Sequence, residues 1–151
     1  MKEIYVDATN TVIGRLGTYV AKQSLLGRKV NVFNSEKAIM SGDPKNNVEV
    51  YRYLTQEINT GRTRRGPFIS RYPDRLLKRM FRSMLPWAKP RGREAYKRIM
   101  CYISVPQEFK DKNLERVGVA EGSRLTTKYI TLGDLSRRIG GHFNVWKQYT
   151  L

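Results

Sequence analysis

Residues 4–34, "IYVDATNTVIGRLGTYVAKQSLLGRKVNVFN", predict the start of an α/β fold. "IYVDA" is typical of a β-strand, and the apolar residues Leu16, Val20 and Leu25 recur at roughly helical spacing within residues 12–26. "KVNVFN" is typical of a second strand. Two strands joined by a crossover helix almost always form a right-handed unit, so this stretch predicts a strand-helix-strand unit with parallel strands.

The loop between the first strand and the helix, "DATNTVIGRLG", lies where phosphate-binding loops are found in nucleotide-binding folds. It matches neither G-x-G-x-x-G nor a Walker sequence, so we interpret Asp7 and Asn10 as turn and cap residues and predict no cofactor. Asn10 or Thr11 is expected to cap the start of the helix, and Gly27 is expected to end it. Arg15, in the first turn, opposes the helix dipole, and that position favours contact with an anion or an acidic neighbour.

The rest of the chain continues to alternate strands with helices, and this pattern predicts a layered α/β domain. The predicted elements are a short strand or sheet edge at "AIMSG", helices over residues 44–59, 74–85 and 90–99, a buried strand "RIMCYISV", and a strand followed by a short helix within "KYITLGDLSRRIGG". Residues 106–125 have mixed charge that suits solvent or a protein neighbour. The length of 151 residues, 40% of them hydrophobic, predicts a single domain over residues 1–151.

Positive charge is concentrated in one part of the chain. The sequence has 29 Lys and Arg against 13 acidic residues, a formal net charge of +16. Residues 61–98 contain 13 of these cations and two acids, a net charge of +11, so the other 113 residues carry only +5. A regional surplus of this size indicates a polyanionic partner for residues 61–98.

The helix that begins at Asp74 separates apolar from basic residues. Its apolar stripe, which is expected to face the core, is formed by Leu76, Leu77, Met80, Phe81 and Met84. Its cations are expected on another face and are Arg75, Lys78, Arg79 and Arg82. Like charges three or four residues apart destabilise a helix by a few tenths of a kcal/mol per pair, so this face is better explained by bound phosphates than by helix stability.

Two loops flank this helix, "GRTRRGP" and "PWAKPRGR", and both contain more Arg than Lys. Arginine binds phosphate through a planar fork and stacks on bases, which favours a structured nucleic acid. The alternatives are a solvated face, a heparin-like site or a membrane surface, and the last is disfavoured because the helix lacks exposed bulky apolar residues beyond its stripe. Trp87 and Tyr72 suit either base stacking or packing at the edge of the core.

Catalytic signatures are lacking in the sequence. The only histidine is His142, the only cysteine is Cys101 in the apolar run "IMCYISV", and the acidic residues show no paired or metal-ligand spacing. We predict no catalytic residues, no metal site and no disulfide within the chain. The N-terminus lacks the apolar core of a signal peptide and no apolar run approaches the length of a membrane span, so a cytoplasmic protein without membrane contact is expected.

Five segments in order resemble the large-subunit ribosomal protein thirteen family, a universal family, in its archaeal and eukaryotic form. They are "IYVDATNTVIGRLGTYVAK", "VNVFNSEKAIMSG", "RTRRGPF", "RMFRSMLPWAKPRGREAYKRI" and "KYITLGDLSRRIG". Two departures are Ser83, where the family commonly has glycine, and Gly17, where it often has alanine. Neither changes the charge, so they affect only local packing.

The resemblance implies a three-layer α/β/α fold with a central four-stranded, largely parallel sheet and basic loop and helix extensions. It implies a structural, non-catalytic component of the large ribosomal subunit that contacts large-subunit rRNA and neighbouring ribosomal proteins, with no homo-oligomer expected. The implied RNA-binding residues are Arg62, Arg64, Arg65, Arg71, Arg75, Lys78, Arg79, Arg82, Lys89, Arg91, Arg93 and, less centrally, Arg15. The alternative is an RNA-processing or RNA-modifying enzyme whose chemistry arises only from residues brought together by the fold.

Overall fold

A computed structural model of the chain describes residues 2–57 and 68–143. The three strands of its main sheet are β1 (Glu3–Asp7), β2 (Lys29–Phe33) and β4 (Ile99–Cys101), with β3 (Ile39–Ser41) and β5 (Tyr129–Thr131) forming a second sheet. The helices are α1 (Ile13–Leu25), α2 (Pro44–Arg52), α3 (Pro73–Ser83), α4 (Pro90–Lys97) and α5 (Leu132–Arg138). A π-helical turn, Tyr53–Glu57, extends α2 toward the length predicted from the sequence, and residues 58 and 59 of that prediction lie outside the described residues.

The predicted strand-helix-strand unit is confirmed. β1 and β2 pair in parallel, with Ile4 opposite Val30 and Val6 opposite Val32, and α1 connects them. Gly27 follows α1 with a φ of +85°, a conformation that glycine adopts without strain. The predicted cap at Asn10 or Thr11 is wrong, because the helix begins after Val12 without a side-chain cap and the Thr11 hydroxyl donates to the Ala8 carbonyl.

The α/β class is confirmed, but a four-stranded sheet is not. In the part of the chain that the structure describes, the parallel sheet has the order β1-β2-β4, and β3 pairs antiparallel with β5 instead of joining it. β4 therefore lies at an edge, which leaves Met100 exposed although the sequence predicted a buried strand. On the other edge, a single parallel bridge joins Val6 to Glu115, too short to form a strand.

One face of the main sheet packs against the helices. Because side chains alternate along a strand, Ile4, Val6, Val30, Val32 and Ile99 share this face, and all are buried in the core. The helix residues in the same core include Leu16 and Val20 of α1 and Leu76, Leu77 and Phe81 of α3. The packing of α3 on α1 and β4 thus determines which face of α3 remains in solvent.

Aromatic side chains pack together where the strands end and the chain turns back. Phe33 stacks on Tyr102 with ring centroids 5.3 Å apart, and Phe109, from a short 3-10 turn, lies 5.2 Å from Phe33. Tyr5 completes the group at 5.9 Å from Phe109. Residues 102–109 are therefore attached to the sheet by contacts between aromatic rings, although the sequence showed no regular element after Pro106.

Asp7, at the end of β1, joins three segments. Its carboxylate accepts hydrogen bonds from the backbone and hydroxyl of Thr9 and from the amide of Asn34, and Arg116 lies 3.5 Å away. Burial disfavours the charged form, but these hydrogen bonds and the Arg116 charge outweigh it, so the pKa of Asp7 lies below its ordinary value. The interpretation of Asp7 as a turn residue is confirmed, since it bonds the backbone two residues ahead.

This lowered pKa predicts an acid-dependent contribution to stability. A depressed folded-state pKa stabilises the fold above the unfolded value of about 3.9, and the contribution is lost as the pH falls through the folded value. Asp7→Asn should therefore lower the free energy of unfolding by about 1.5–3 kcal/mol at neutral pH, the range for hydrogen bonds to a charged group, and by less near pH 2. Urea denaturation across this pH range measures the difference.

The matched control is Asp111→Asn, because Asp111 is exposed and has no ion pair within the described residues. It should change stability little at any pH. A deficit of Asp7→Asn that is the same at pH 7 and pH 2 would contradict the assignment of this effect to the Asp7 charge.

Candidate nucleic-acid interface

Helix α3 presents opposite faces to the core and to solvent. Leu76, Leu77 and Phe81 are fully or almost fully buried, and Arg75, Arg79 and Arg82 are exposed. This confirms the predicted division of the helix, with two adjustments. Met84 is 37% exposed just beyond the helix, and Lys78 is half-buried, with its ammonium group 5.0 Å from the centre of the Tyr96 ring.

Most cations near α3 have no carboxylate partner. Within residues 68–98 the structure contains one ion pair, in which Arg98 contacts Glu94 at 3.5 Å. The Arg98 guanidinium also donates to the carbonyl of Ser24, which gives this residue a structural role. We call six of the exposed cations that remain the basic surface. They lie on α3, on the loop after it and in the first turn of α4, and they form no ion pair in the described part of the chain: Arg75, Arg79, Arg82, Lys89, Arg91 and Arg93.

The loop between α3 and α4 carries Trp87 into this surface. The Arg82 guanidinium lies 4.1 Å from the centre of the Trp87 ring, and the centroids of the Trp87 and Tyr96 rings lie 5.2 Å apart in a T-shaped contact. Arg93 donates from Nε to the Trp87 carbonyl at 3.2 Å. Burial raises the pKa of Tyr96, while the nearby Arg82 and Arg79 charges oppose that rise.

Backbone contacts hold the loop close to α4. The Trp87 amide donates to Leu85 at 2.7 Å, and the Lys89 amide donates to Pro86 at 3.0 Å. Gly92, in the first turn of α4, is so close to the loop that a Cβ there would overlap the Pro86 carbonyl. The position of Trp87 therefore depends on a glycine that the loop packs against.

A shallow depression of about 400 Å³ opens between the end of α3 and this loop. It is lined by Arg79, Arg82, Ser83, Leu85 and Trp87. Two guanidinium groups, an indole and a hydroxyl can together bind an anion and a flat ring, and this combination is typical of sites for nucleotides.

Comparison with known proteins identifies the family. The family model described as "Ribosomal protein L13" matches residues 1–108, which is more than two thirds of the chain. The chain belongs to the ribosomal protein L13 family. Ribosomal proteins of this family are structural components rather than enzymes, so both the family resemblance and the prediction of a non-catalytic protein are confirmed.

Several archaeal members of the ribosomal protein L13 family are similar over nearly the whole chain. The large ribosomal subunit protein uL13 of Methanopyrus kandleri is 45% identical over 138 residues, which cover 89% of this chain and 85% of the relative. The proteins of the same name from Aeropyrum pernix and Methanococcoides burtonii are 41% and 40% identical, over 92% and 91% of this chain and 90% and 98% of the relatives. The resemblance to the archaeal form is therefore confirmed.

The other residues implied by the ribosomal protein L13 resemblance occupy different places. Arg62, Arg64 and Arg65 lie outside the described residues. Arg71 is half-buried, with its guanidinium beside Gly140 after α5. Its carbonyl accepts a hydrogen bond from the Ser136 hydroxyl, so it also connects the segment before α3 to α5. Arg15 is exposed on the first turn of α1.

Trp87 and Tyr72, for which the sequence allowed either base stacking or packing at the edge of the core, differ in their contacts. Trp87 is half-buried and packs on Tyr96 and Arg82, which gives it a structural contact as well as a place in the depression. Tyr72 is 38% exposed, and its ring lies 5.9 Å from the Arg75 guanidinium. The contact between Arg82 and Trp87 was missed by sequence reasoning because the chain turns between the two residues, and no periodic pattern spans that turn.

The Cys101 thiol belongs to the packing of β4. Cys101 is partly buried near Lys78 and Asp74, and its burial raises the pKa of the thiol above its ordinary value. Such a thiol remains protonated and unreactive. Within residues 2–57 and 68–143, no helix is long and apolar enough to cross a membrane.

Proposed function

We propose that this chain is a structural component of the large ribosomal subunit that binds large-subunit rRNA through the basic surface. The observation that carries this proposal is the row of exposed arginines on α3, which have no carboxylate partners in the described part of the chain. It is supported by the relatives, whose name is large ribosomal subunit protein uL13. A ribosomal component lies in the cytoplasm with the ribosome.

Phosphates are the groups that best complement this surface. Each arginine can form two parallel hydrogen bonds to a phosphate, and such contacts orient a protein on a nucleic acid without reading its sequence. A folded rRNA presents closely spaced phosphates along A-form helices, and a protein recognises that shape rather than the bases within the helix. The surface therefore holds RNA segments in a fixed relative position.

We extend the proposed contacts to the remaining implied residues. Arg62, Arg64 and Arg65 continue the positive charge in sequence toward α3, and Arg71 lies just before that helix. Lys78 contributes long-range positive charge rather than a direct contact, because its ammonium group lies over Tyr96. Arg15 is a peripheral contact, and the mixed-charge segment 106–125 is available to neighbouring ribosomal proteins.

The finer description of the fold is also a proposal. We propose one domain over residues 1–151, because a continuous core includes residues from Ile4 to Ile139. We also propose that the segment at Glu115 occupies the fourth position of the parallel sheet, where hydrogen bonds already join it to both Tyr5 and Asp7. The three-layer arrangement implied by the resemblance stays a prediction.

Replacing Arg75, Arg79 and Arg82 with alanine tests the proposed function. The triple variant should bind an in vitro transcribed archaeal large-subunit rRNA at least tenfold more weakly at 100 mM salt. The slope of log affinity against log salt should become about 3 less steep, since each lost phosphate contact removes about 0.9. Filter binding over a salt series measures both quantities.

Stability and a matched control make this test specific. The free energy of unfolding should change by less than about 1 kcal/mol, because like-charge repulsion is relieved while the Arg82–Trp87 contact is lost. Replacing Lys110, Lys112 and Lys128 removes the same charge from exposed residues outside the basic surface, and the slope should change by less than 1. Equal losses of binding in the two triple variants would contradict the proposed surface.

A further inference from the structure

The depression beside Trp87 differs from the rest of the basic surface because it combines cations with a flat ring. Along α3, Arg75 and Arg79 are exposed cations, and the ring nearest to Arg75, that of Tyr72, has its centre 5.9 Å from the guanidinium. Arg82 instead places its guanidinium carbon over the Trp87 ring, 4.1 Å from the ring centre, and its own side chain is exposed. A phosphate surface alone does not account for this arrangement.

The Arg82–Trp87 contact holds the guanidinium group in one orientation. Stacking on an aromatic ring restricts the rotamers of a long side chain before any ligand arrives, so less conformational entropy is lost when the ligand binds. Because the Arg82 side chain is exposed, its guanidinium group keeps N–H donors for a phosphate and can stack on a second flat group. Arg79, one helical turn away, adds a second cation at the same opening.

Neighbouring residues hold the Trp87 ring, and with it the Arg82–Trp87 platform, in place. The Tyr96 ring packs against Trp87 in a T-shaped contact with centroids 5.2 Å apart, and Lys78 lies over the Tyr96 ring, so rings and cations alternate from β4 outward. Arg93 fixes the Trp87 carbonyl, and Gly92 allows the loop to pack on α4. A rigid stacking platform beside two cations suits an extruded base and its phosphate better than it suits a continuous duplex.

We propose that this depression binds one unpaired nucleotide of the RNA. The phosphate lies between the Arg79 and Arg82 guanidinium groups, and the base stacks on the Arg82–Trp87 platform. This inference rests on the proposed function, to which it adds a preference: RNA with an unpaired nucleotide should bind better than a fully paired helix. Stacking is tolerant of base identity, so any of the four bases can occupy the site.

The experiment compares two RNA hairpins that differ by one bulged adenosine. The protein is the full chain carrying Trp146→Phe, because Trp87 and Trp146 are its two tryptophans and the change makes Trp87 the sole tryptophan reporter. The bulged hairpin should bind about tenfold more tightly than the paired one, within the range known for stacking of one base. Of the two hairpins, only the bulged one should strongly quench the Trp87 fluorescence.

Arg82→Lys distinguishes stacking from charge. Lysine keeps the positive charge but lacks the planar group, so the variant should bind the paired hairpin with a similar salt slope and lose most of the tenfold preference. Arg75→Lys is the matched control on the same helix, where the guanidinium lies 5.9 Å from Tyr72 and outside the depression. It should retain the preference.

The outcomes separate this site from the proposed function. Salt-dependent binding of both hairpins and of rRNA without a preference for the bulge would overturn the nucleotide site and leave the rRNA-binding function intact. Equal loss of preference in Arg82→Lys and Arg75→Lys would likewise overturn it. Failure to bind any of these RNAs would overturn the rRNA-binding function together with the site.

Discussion

Raising the salt concentration from 50 to 200 mM is expected to weaken binding of the full chain to large-subunit rRNA by about 10³- to 10⁵-fold. This range applies to proteins that neutralise about 6–10 phosphates and release their counterions, with values taken from DNA. The six exposed cations of the basic surface are enough to neutralise the lower number of phosphates, and Arg62, Arg64 and Arg65 can neutralise more. Because residues 61–98 carry a net charge of +11, the release of counterions is expected to be the main contribution to the affinity.

The measurement is a titration of labelled rRNA at several potassium chloride concentrations with magnesium held constant. Protein stability provides the control, because screening of repulsion among the arginines should leave the unfolding midpoint unchanged or slightly higher over the same range. Weaker binding then cannot be attributed to unfolding. An affinity that changes by less than tenfold would exclude binding through phosphates as the main source of affinity.

Gly92→Ala is expected to lower the free energy of unfolding by about 3 kcal/mol, the upper part of the usual range for an overpacked site. The added methyl group would overlap the backbone carbonyl of Pro86 and lie 3.1 Å from the Trp87 nitrogen. Backbone cannot rotate away as the end of a flexible side chain can, so either the loop or the first turn of α4 must move. For a domain of this size the expected decrease in Tm is roughly 6–12 °C.

Gly14→Ala is the matched control for this substitution. Gly14 also lies in the first turn of a helix, but a Cβ there meets no atom within 4 Å. Alanine should therefore leave stability unchanged or raise it by up to about 1 kcal/mol through its higher helix propensity. Urea denaturation of both variants measures the contrast, and a Gly92→Ala protein with an unaltered midpoint would show that the loop adapts without cost.

Local patterns predicted much of the fold because they depend on neighbouring residues. The buried Leu76, Leu77 and Phe81 follow from the helical period of α3, and the exposure of Arg75 and Arg79 follows from the same period. Met84 departs from the pattern because the helix ends at Ser83, after which that period no longer applies. Lys78 departs from it because Tyr96 and Met100, which lie on other elements, contact its side chain.

The sheet that β3 joins and the edge position of β4 were not predicted, because both depend on pairing between segments that are distant in the sequence. "AIMSG" does form a strand, but its partner is Tyr129–Thr131, about ninety residues later in the chain. A three-residue strand carries too little alternation to indicate which sheet it joins, or in which direction. The edge position of β4 likewise depends on pairing, because among residues 2–57 and 68–143 β4 pairs only with β2, although its composition suited a buried strand.

The sequence by itself determined the parallel strand-helix-strand unit, the amphipathic division of α3 and the concentration of arginine around it, because each depends on residues within a few turns or on simple charge. Only the tertiary structure decided which cations lack partners, how Trp87 meets Arg82, and why residue 92 must be glycine. These features arise where the chain reverses between α3 and α4, and there the contacts depend on backbone path rather than on residue spacing. The basic surface is therefore a property of composition, whereas its proposed preference for an unpaired nucleotide is a property of the fold.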